Sequence, residues 1–234
     1  MIQELKPLTI SSSIRKNPTV LFTTELKQFL LYEPFNGENH IVAELYSFMM
    51  EHFKVELLRS GSFSLRGKKY LCCEEISGCI EVDSWLTYQW KKKRQFNRFI
   101  RPRALFDMYL FDMFFPVFGP SSKLIIPGKK DRFVAHAFPQ KNKGSIAFEP
   151  QDINSVGLND PAMRMFFKHI KLYLNEYLED FIALNHEKFR ADIKYRVSLY
   201  PDHRNQYWNE LSKCFEPSFR NYITANIENY ILNL

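Results

Sequence analysis

The sequence has few glycines and no long uninterrupted apolar run. Its 234 residues include only 8 glycines but 22 phenylalanines and 12 tyrosines, which predicts stiff loops around an aromatic-rich core. The longest apolar stretch, Ala104 to Phe118, is interrupted by Asp107 and Asp112 and falls short of the roughly 20 residues that cross a bilayer. The first residues also lack the apolar segment of a signal peptide. We therefore expect a cytoplasmic protein that has no membrane partner.

Cysteine is also scarce, and its spacing matches no common zinc or redox motif. Cys72 and Cys73 are adjacent, Cys79 follows shortly after them, and Cys214 lies far along the chain, whereas zinc and redox motifs use other spacings. We expect reduced, mostly buried thiols. The histidines do not have the His-Glu-x-x-His spacing of a metalloprotease either. The sequence thus predicts no metal site.

Signatures of the common enzyme classes are missing too. The chain has no Gly-x-Ser-x-Gly, Walker or Gly-x-Gly-x-x-Gly motif, and Ser60-Gly61-Ser62 lacks the spacing to cradle a phosphate. Hydrolase and dinucleotide-dependent functions are therefore disfavoured. The adjacent Glu74 and Glu75 could act as paired carboxylates, but a strand end before Gly78 explains them more simply. We identify no catalytic residues.

Residues 1 to about 80 have the pattern of a β-rich unit that carries one helix. Two short β-branched and aromatic runs between Thr19 and Tyr32 predict paired strands. From Glu38 to Lys54 the apolar residues recur at helical spacing, which predicts an amphipathic helix. The segment from Val55 to Gly78 predicts two or three further strands, broken at Ser60-Gly61 and Gly67.

From Asp83 onward the pattern is mainly helical. Pro102 can begin a helix through the long apolar stretch, and we expect two short strands around Pro127-Gly128, with Asp131 in the turn between them. Asp160-Pro161 is a strong helix start. It predicts one long helix over 162–193, followed by two helices that Pro217 divides.

A basic run with interleaved aromatic residues, at 90–103, is the sharpest functional signal. Lysine and arginine displace counterions from phosphates while aromatic rings stack on bases, so the run suits a nucleic-acid surface. It suits an acidic protein partner equally well. A third interpretation is a solvated helix start whose basic stems cover aromatic rings. Its basic residues are Lys91, Lys92, Lys93, Arg94, Arg98, Arg101 and Arg103. A second basic group, which we expect only to be solvated, is Lys123, Lys129, Lys130, Arg132, Lys141 and Lys143.

The order of these elements, together with three short phrases, resembles the HipA-like kinases of bacteria. The phrases are VAEL at 42–45, EEISG at 74–78 and RALFDMYLFD at 103–112. The resemblance implies an α+β fold with a kinase-like, two-lobed architecture. In that fold, residues 1–80 would form a small β-rich N-terminal lobe with one helix, and residues 81–234 a larger, mainly helical C-terminal lobe.

Carried over residue by residue, the resemblance implies only remnants of a nucleotide pocket. In the family, one strand carries the lysine that binds the nucleotide. The matching position in this chain is Tyr32. The family's helix glutamate falls on Glu44, which would then have no lysine to hold. Glu75 would lie at the hinge whose backbone reads an adenine. We therefore expect no cofactor, although ATP could still bind without being cleaved.

The catalytic positions of the family are replaced as well. Its catalytic aspartate falls on Phe114 and its arginine on Phe115, while its asparagine falls on Ser121 or Ser122. The later strand, which carries a magnesium-binding aspartate in the family, has His136 instead. Because phosphoryl transfer depends on metal ions held by oxygen atoms, the resemblance implies a pseudokinase.

We therefore predict a catalytically inactive, HipA-like pseudokinase that acts as a protein-binding or regulatory component of a bacterial toxin–antitoxin or defence-type assembly. The alternative is a nucleic-acid-binding module that uses residues 90–103. A third possibility is an enzyme whose site is assembled from residues far apart in the sequence. The first hypothesis expects another protein as the partner.

Overall fold

The computed structural model describes residues 3–4, 7–9, 20–23, 28–34, 37–65, 67–76, 78–91, 99–126, 131–139, 146–184 and 186–234. For described residues up to 37, and for 65, 89–91, 99–100 and 131, the description covers the backbone alone. Within these ranges both sheets lie before residue 136, and from residue 161 onward all regular elements are helices. The predicted α+β class is confirmed.

The N-terminal third of the chain forms the first sheet and one helix. Its strands are β1 (Gln3–Glu4), β2 (Pro7–Thr9), β3 (Val20–Thr23), β4 (Gln28–Pro34), β5 (Ser60–Leu65) and β6 (Lys68–Glu75). They lie in the order β1-β5-β6-β4-β3-β2, with β1 parallel to β5 and the other neighbours antiparallel. Helix α1 (Gly37–His52) connects β4 to β5. The predicted strand pair and helix are thus confirmed.

One detail of this region differs from the prediction. Ser60 and Gly61 begin β5 and pair with Cys73 and Cys72, instead of breaking a strand. A glycine inside a strand is tolerated here because its register partners supply the ladder hydrogen bonds. The tight turn falls later, at Gly67, whose φ of 74° suits glycine.

The second sheet comes from short strands on both sides of the long apolar stretch. They are β7 (Ile80–Glu81), β8 (Phe99–Ile100), β9 (Lys123–Ile126) and β10 (Asp131–Ala135), in the order β7-β9-β10-β8. The predicted β9–β10 pair is confirmed, although the turn at Pro127-Gly128 lies outside the described residues. Asp131 does not lie in the turn, because it pairs with Phe99 as the first residue of β10.

The remaining elements are helices: α2 (Val82–Lys91), α3 (Pro102–Phe114), α4 (Pro161–His169), α5 (Lys171–Ala183), α6 (His186–Ser198), α7 (Arg204–Lys213) and α8 (Pro217–Leu232). Proline occupies the first position of α3 and α4, as predicted, and Pro217, which was predicted to divide two helices, is the first residue of α8. Every residue of α3 from Ala104 to Phe114 is buried, so this helix is the centre of the core. No helix within the described ranges is long and apolar enough to span a membrane.

The single long helix predicted over 162–193 is wrong, because the chain breaks it into three. Asp160 does cap the start, accepting a hydrogen bond from the Ala162 amide at 2.8 Å. At Ile170, however, φ is −111° and the amide bonds to Phe167 three residues back. The break lets α4 and α5 turn separately, so that Phe167 meets Phe106 of α3 while Phe181 meets Phe114.

Helix α1 packs into the same hydrophobic core as the C-terminal helices. Tyr46 of α1 makes edge-to-face contacts with Phe111 at 5.9 Å and with Phe118 at 5.3 Å between ring centroids. Just after α1, the ring of Phe53 stacks on Phe181 at 4.3 Å. This aromatic packing positions α1 against α3 and α5. The division into two lobes at residue 80 stays a prediction.

Candidate functional site

The C-terminal end of α3 is the first place to look for catalytic groups, because the HipA resemblance places the catalytic aspartate and arginine on Phe114 and Phe115. Both side chains are fully buried. Phe114 lies 5.4 Å from the ring of Phe181, and Phe115 lies 5.1 Å from the ring of Phe53. These positions therefore belong to the aromatic core that joins α1, α3 and α5.

Asp112, one turn earlier on α3, is buried but fully partnered. Its Oδ1 accepts a hydrogen bond from the backbone amide of Ser121 at 2.9 Å. Its Oδ2 accepts from the Ser121 hydroxyl at 3.1 Å and from the ammonium of Lys123. A buried charge is tolerated when it is paired and hydrogen-bonded in this way. Both oxygens of Asp112 are thus already used inside the protein.

Lys123, which we predicted to be a solvated member of the second basic group, is buried instead. Its ammonium pairs with Asp112 and lies 4.3 Å from the centroid of the Tyr109 ring. The sequence contained a signal for this contact, because a carboxylate inside an apolar helix requires a cation nearby. Of the other members of that group, Arg132 forms an ion pair with Glu56 at 3.2 Å. The group's remaining residues, Lys129, Lys130, Lys141 and Lys143, lie outside the described residues.

His136 lies in the segment after β10, and the resemblance matches it to the family's magnesium-binding aspartate. Local contacts hold this segment in place. The Nδ1 atom of His136 lies 3.2 Å from both the amide nitrogen and the carbonyl oxygen of Phe138. Burial lowers the pKa of His136, so its ring is neutral near pH 7. The His136 amide donates to the Ser122 carbonyl at 3.0 Å, and the Ser47 hydroxyl of α1 donates to the Ala137 carbonyl at 3.4 Å.

A second, smaller hydrophobic cluster lies where β6, β10 and α1 meet. Leu71 and Cys73 of β6 pack there with Ala43 of α1, and Val134 and Phe138 pack against them from β10 and the segment that follows. All five side chains are buried. This junction between the two sheets is therefore filled with apolar groups.

Glu44 lies on α1, at the position that the resemblance gives to the family's glutamate. Its Oε2 accepts a hydrogen bond from the hydroxyl of Tyr200 and lies 3.7 Å from Nε2 of His40. Burial and this hydrogen bond raise the pKa of Tyr200 well above its usual value. Glu44 therefore ties α1 to the end of α6 and does not depend on a lysine for a partner.

The other two predicted pocket residues lie on neighbouring strands. Tyr32 lies in β4 at the point where the pairing with β6 shifts register, between Leu31 and Glu33; its side chain is outside the description. Glu75 is the exposed last residue of β6, opposite Gln28. Their assignment to a nucleotide pocket stays a prediction.

The basic run is only partly within the described residues. Lys92, Lys93, Arg94 and Arg98 lie outside them, and Lys91 is the last residue of α2. Arg101 is exposed. Arg103 is engaged by carboxylates, since its Nε lies 3.3 Å from Asp107 and its Nη1 lies 2.7 Å from Asp180. A partner surface at this run stays a prediction.

A comparison with solved structures identifies the fold. The crystal structure of a Helicobacter pylori proinflammatory kinase, CtkA, matches with a TM-score of 0.50 and 10% sequence identity, over 99% of this chain and 97% of that chain. The chain has a kinase-like fold. No family model matches the sequence, and no curated protein does.

A kinase-like fold implies ATP and magnesium, so we tested whether the residues present fit them. Magnesium in kinases is held by carboxylate and amide oxygens. Phe114 and Phe115 provide no side-chain oxygen, and those of Asp112 are bonded to Ser121 and Lys123. Within the described ranges, no three histidine, cysteine or carboxylate side chains are grouped to bind a metal. The residues at the positions that the resemblance gives to the catalytic groups, Phe114 and Phe115, therefore do not fit a magnesium–nucleotide complex.

Proposed function

We propose that this chain is a catalytically silent kinase-fold protein that acts by binding. The proposal rests on the C-terminal end of α3. Phe114 and Phe115 are buried there in the aromatic core, and Asp112 forms a buried ion pair with Lys123. Phosphoryl transfer is almost entirely positioning and charge stabilisation around the phosphate. Buried rings supply neither, and the Asp112 carboxylate is buried, paired with Lys123 and hydrogen-bonded to Ser121.

Kinase activity is the competing interpretation, because the structural neighbour is a kinase. The test is transfer of labelled γ-phosphate from ATP with magnesium, to the chain itself and to a generic protein substrate. We compare the wild type with Asp112→Asn and with Asp202→Asn, which makes the same change at an exposed site. We expect no transfer by any of the three. Transfer by the wild type overturns the proposal, and its loss in an Asp112→Asn variant that circular dichroism shows to be folded would make Asp112 the group responsible.

We further propose that the protein is a binding or regulatory component of a bacterial toxin–antitoxin or defence-type assembly. The support is the resemblance to HipA-like kinases at 42–45, 74–78 and 103–112. The test is co-expression with the products of adjacent genes, followed by size-exclusion chromatography at two salt concentrations. A complex of fixed stoichiometry is expected. Elution of the chain free of every co-expressed product would overturn this part of the proposal. It would not bear on the proposal that the chain is catalytically silent.

A further inference from the structure

Helix α6 exposes two large apolar side chains on the side that faces away from the core. Its core side consists of Phe189, Ile193 and Val197, which are all buried. On the outer side, Tyr195 is 67% exposed and Leu199 is 57% exposed. Large apolar side chains that lie together at a surface and are rimmed by charges are typical of interaction sites. This surface does not depend on the proposed function above.

The two apolar residues belong to a continuous stripe along α6. Its members follow one another at steps of four, three and four residues: Lys188, Asp192, Tyr195 and Leu199. Steps of this kind place side chains one above the other on one side of a helix, and two helices that pack along a common seam use the same spacing. All four residues are exposed, so the stripe faces solvent.

A hollow of about 450 Å³ lies along the edge of this stripe, where α6 meets α1. It is lined by Phe48 of α1 and by Asp192, Tyr195, Arg196 and Leu199 of α6. The guanidinium carbon of Arg196 lies 3.6 Å from the centroid of the Phe48 ring, a contact that holds the guanidinium at the rim of the hollow. Each of these α6 side chains is at least partly exposed. A second molecule can therefore reach all of them.

Two opposite charges beside the hollow are not used in ion pairs. Asp192 and Arg196 are one turn apart on α6, about 6 Å along the axis. Among the residues that the structure describes, neither of them forms an ion pair. Burial lowers the pKa of His52 although Asp192 opposes the shift, so this neighbour is neutral near pH 7 and does not balance the carboxylate. Both charges are available to a partner.

This pattern of charges complements a second copy of the same helix that runs antiparallel. A two-fold axis between Asp192 and Tyr195 places Asp192 of each copy beside Arg196 of the other. Leu199 then lies opposite the aliphatic stem of Lys188, which can cover it. Every contact occurs twice because the axis relates the two copies. An all-acidic partner would meet Asp192 and an all-basic one would meet Arg196, so the second copy is the better match.

We propose that the chain forms a symmetric homodimer through α6. Asp192 of each copy pairs with Arg196 of the other, on both sides of a seam that contains Tyr195 and Leu199. Tyrosine and arginine are among the residues that contribute most to binding at interfaces. A contact limited to one pair of helices is smaller than the standard interface of about 1,600 Å², so the dimer dissociates reversibly.

Sedimentation velocity over a range of protein concentrations measures the dimerisation constant. Asp192→Lys and Arg196→Glu each place like charges at both symmetric contacts, and each should weaken dimerisation at least about tenfold. Arg190→Glu, a charge reversal at an exposed position on another side of α6, is the control and should dimerise like the wild type. A wild type that stays monomeric, or a control that is weakened as much as the two variants, overturns the proposal.

The apolar seam and the ion pairs respond differently to salt. Leu199→Ser should weaken dimerisation several-fold, because it removes apolar surface from the seam. Added sodium chloride should weaken the wild-type dimer, since exposed ion pairs are screened. Dimerisation that Leu199→Ser leaves unchanged contradicts the seam, and dimerisation that salt leaves unchanged contradicts the ion pairs.

A mixture of the two reversed variants gives the sharpest test. Asp192→Lys chains repel one another, and so do Arg196→Glu chains, but a heterodimer of the two has opposite charges at both contacts. An equimolar mixture should therefore recover dimerisation to within a few-fold of the wild type. Circular dichroism checks that both variants are folded. A mixture that associates no better than its separate components rejects the pairing of Asp192 with Arg196.

Discussion

Lys123 donates a hydrogen bond to Asp112 inside the protein, where the side chains of the two residues are 7% and 0% exposed. The pair ties the start of β9 to α3 across the short 3-10 turn at Pro116–Phe118. Ser121 adds two hydrogen bonds to the same carboxylate. This closed polar cluster therefore fixes the loop between α3 and β9.

Breaking this pair on one side should be strongly destabilising. Lys123→Met leaves the Asp112 carboxylate buried without a cation, and we expect a loss of about 3–5 kcal/mol in the free energy of unfolding. Lys123→Met combined with Asp112→Leu removes both charges and should recover much of that loss. Urea denaturation of both single variants and the double variant measures the coupling. Additive losses would show that the two charges do not depend on each other.

The hydrogen bond between Tyr200 and Glu44 should stabilise the packing of α1 against the end of α6. Tyr200→Phe removes the donor and should lower the free energy of unfolding by about 1 kcal/mol. Tyr222→Phe, at an exposed tyrosine, is the matched control and should change it by less than about 0.5 kcal/mol. Equal effects of the two changes in urea denaturation would mean that the Glu44 contact contributes nothing specific.

Asp107 should make stability depend on pH. Its pKa in the folded protein is about 7, above the ordinary value of 3.8, so on raising the pH the unfolded chain loses this proton first. The stability that the carboxyl contributes is fully present below about pH 4 and is lost as the pH rises to about 7.

Asp107→Asn cannot ionise, so the variant should gain about 2 kcal/mol relative to the wild type between about pH 5 and pH 8. Asp202→Asn at an exposed site should show no such gain. Denaturation of the wild type and both variants at about pH 5 and at about pH 8 measures the differences in the free energy of unfolding. A constant difference between Asp107→Asn and the wild type would place the Asp107 pKa near its ordinary value.

The thiols should differ in reactivity. Cys72, Cys73 and Cys214 are buried, and Cys79 is partly exposed. Burial raises the pKa of Cys72 and of Cys73 to about 12 and that of Cys214 further still, and a protonated thiol is a poor nucleophile.

We expect iodoacetamide to modify Cys79 first in the native protein and the other thiols only after unfolding. Mass spectrometry counts the modified sites. The variant Cys79→Ser should leave the native protein unmodified on the same timescale. Rapid alkylation of Cys72, Cys73 or Cys214 before unfolding would contradict the burial of these side chains.

Local signals predicted a large part of the fold. Asp160 and the prolines at 102, 161 and 217 act on the backbone next to them, so the helix starts could be located from the sequence. Gly67 marked a turn for the same reason. The break at Ile170 was missed because the helical spacing of apolar residues continues through it, and only the separate contacts of α4 and α5 with α3 require it.

The sequence by itself determined the α+β class, the start of each proline-led helix and the burial of the apolar stretch, because these depend on neighbouring residues and on hydrophobicity. The resemblance to HipA-like kinases also implies rings at the positions of that family's catalytic groups, and this stays a prediction. Only the tertiary structure decided that Lys123 is buried beside Asp112 and that Phe48 of α1 lies against Arg196 of α6. Such contacts join residues far apart in the chain, and whether a charge is solvated or paired depends on what the fold brings next to it.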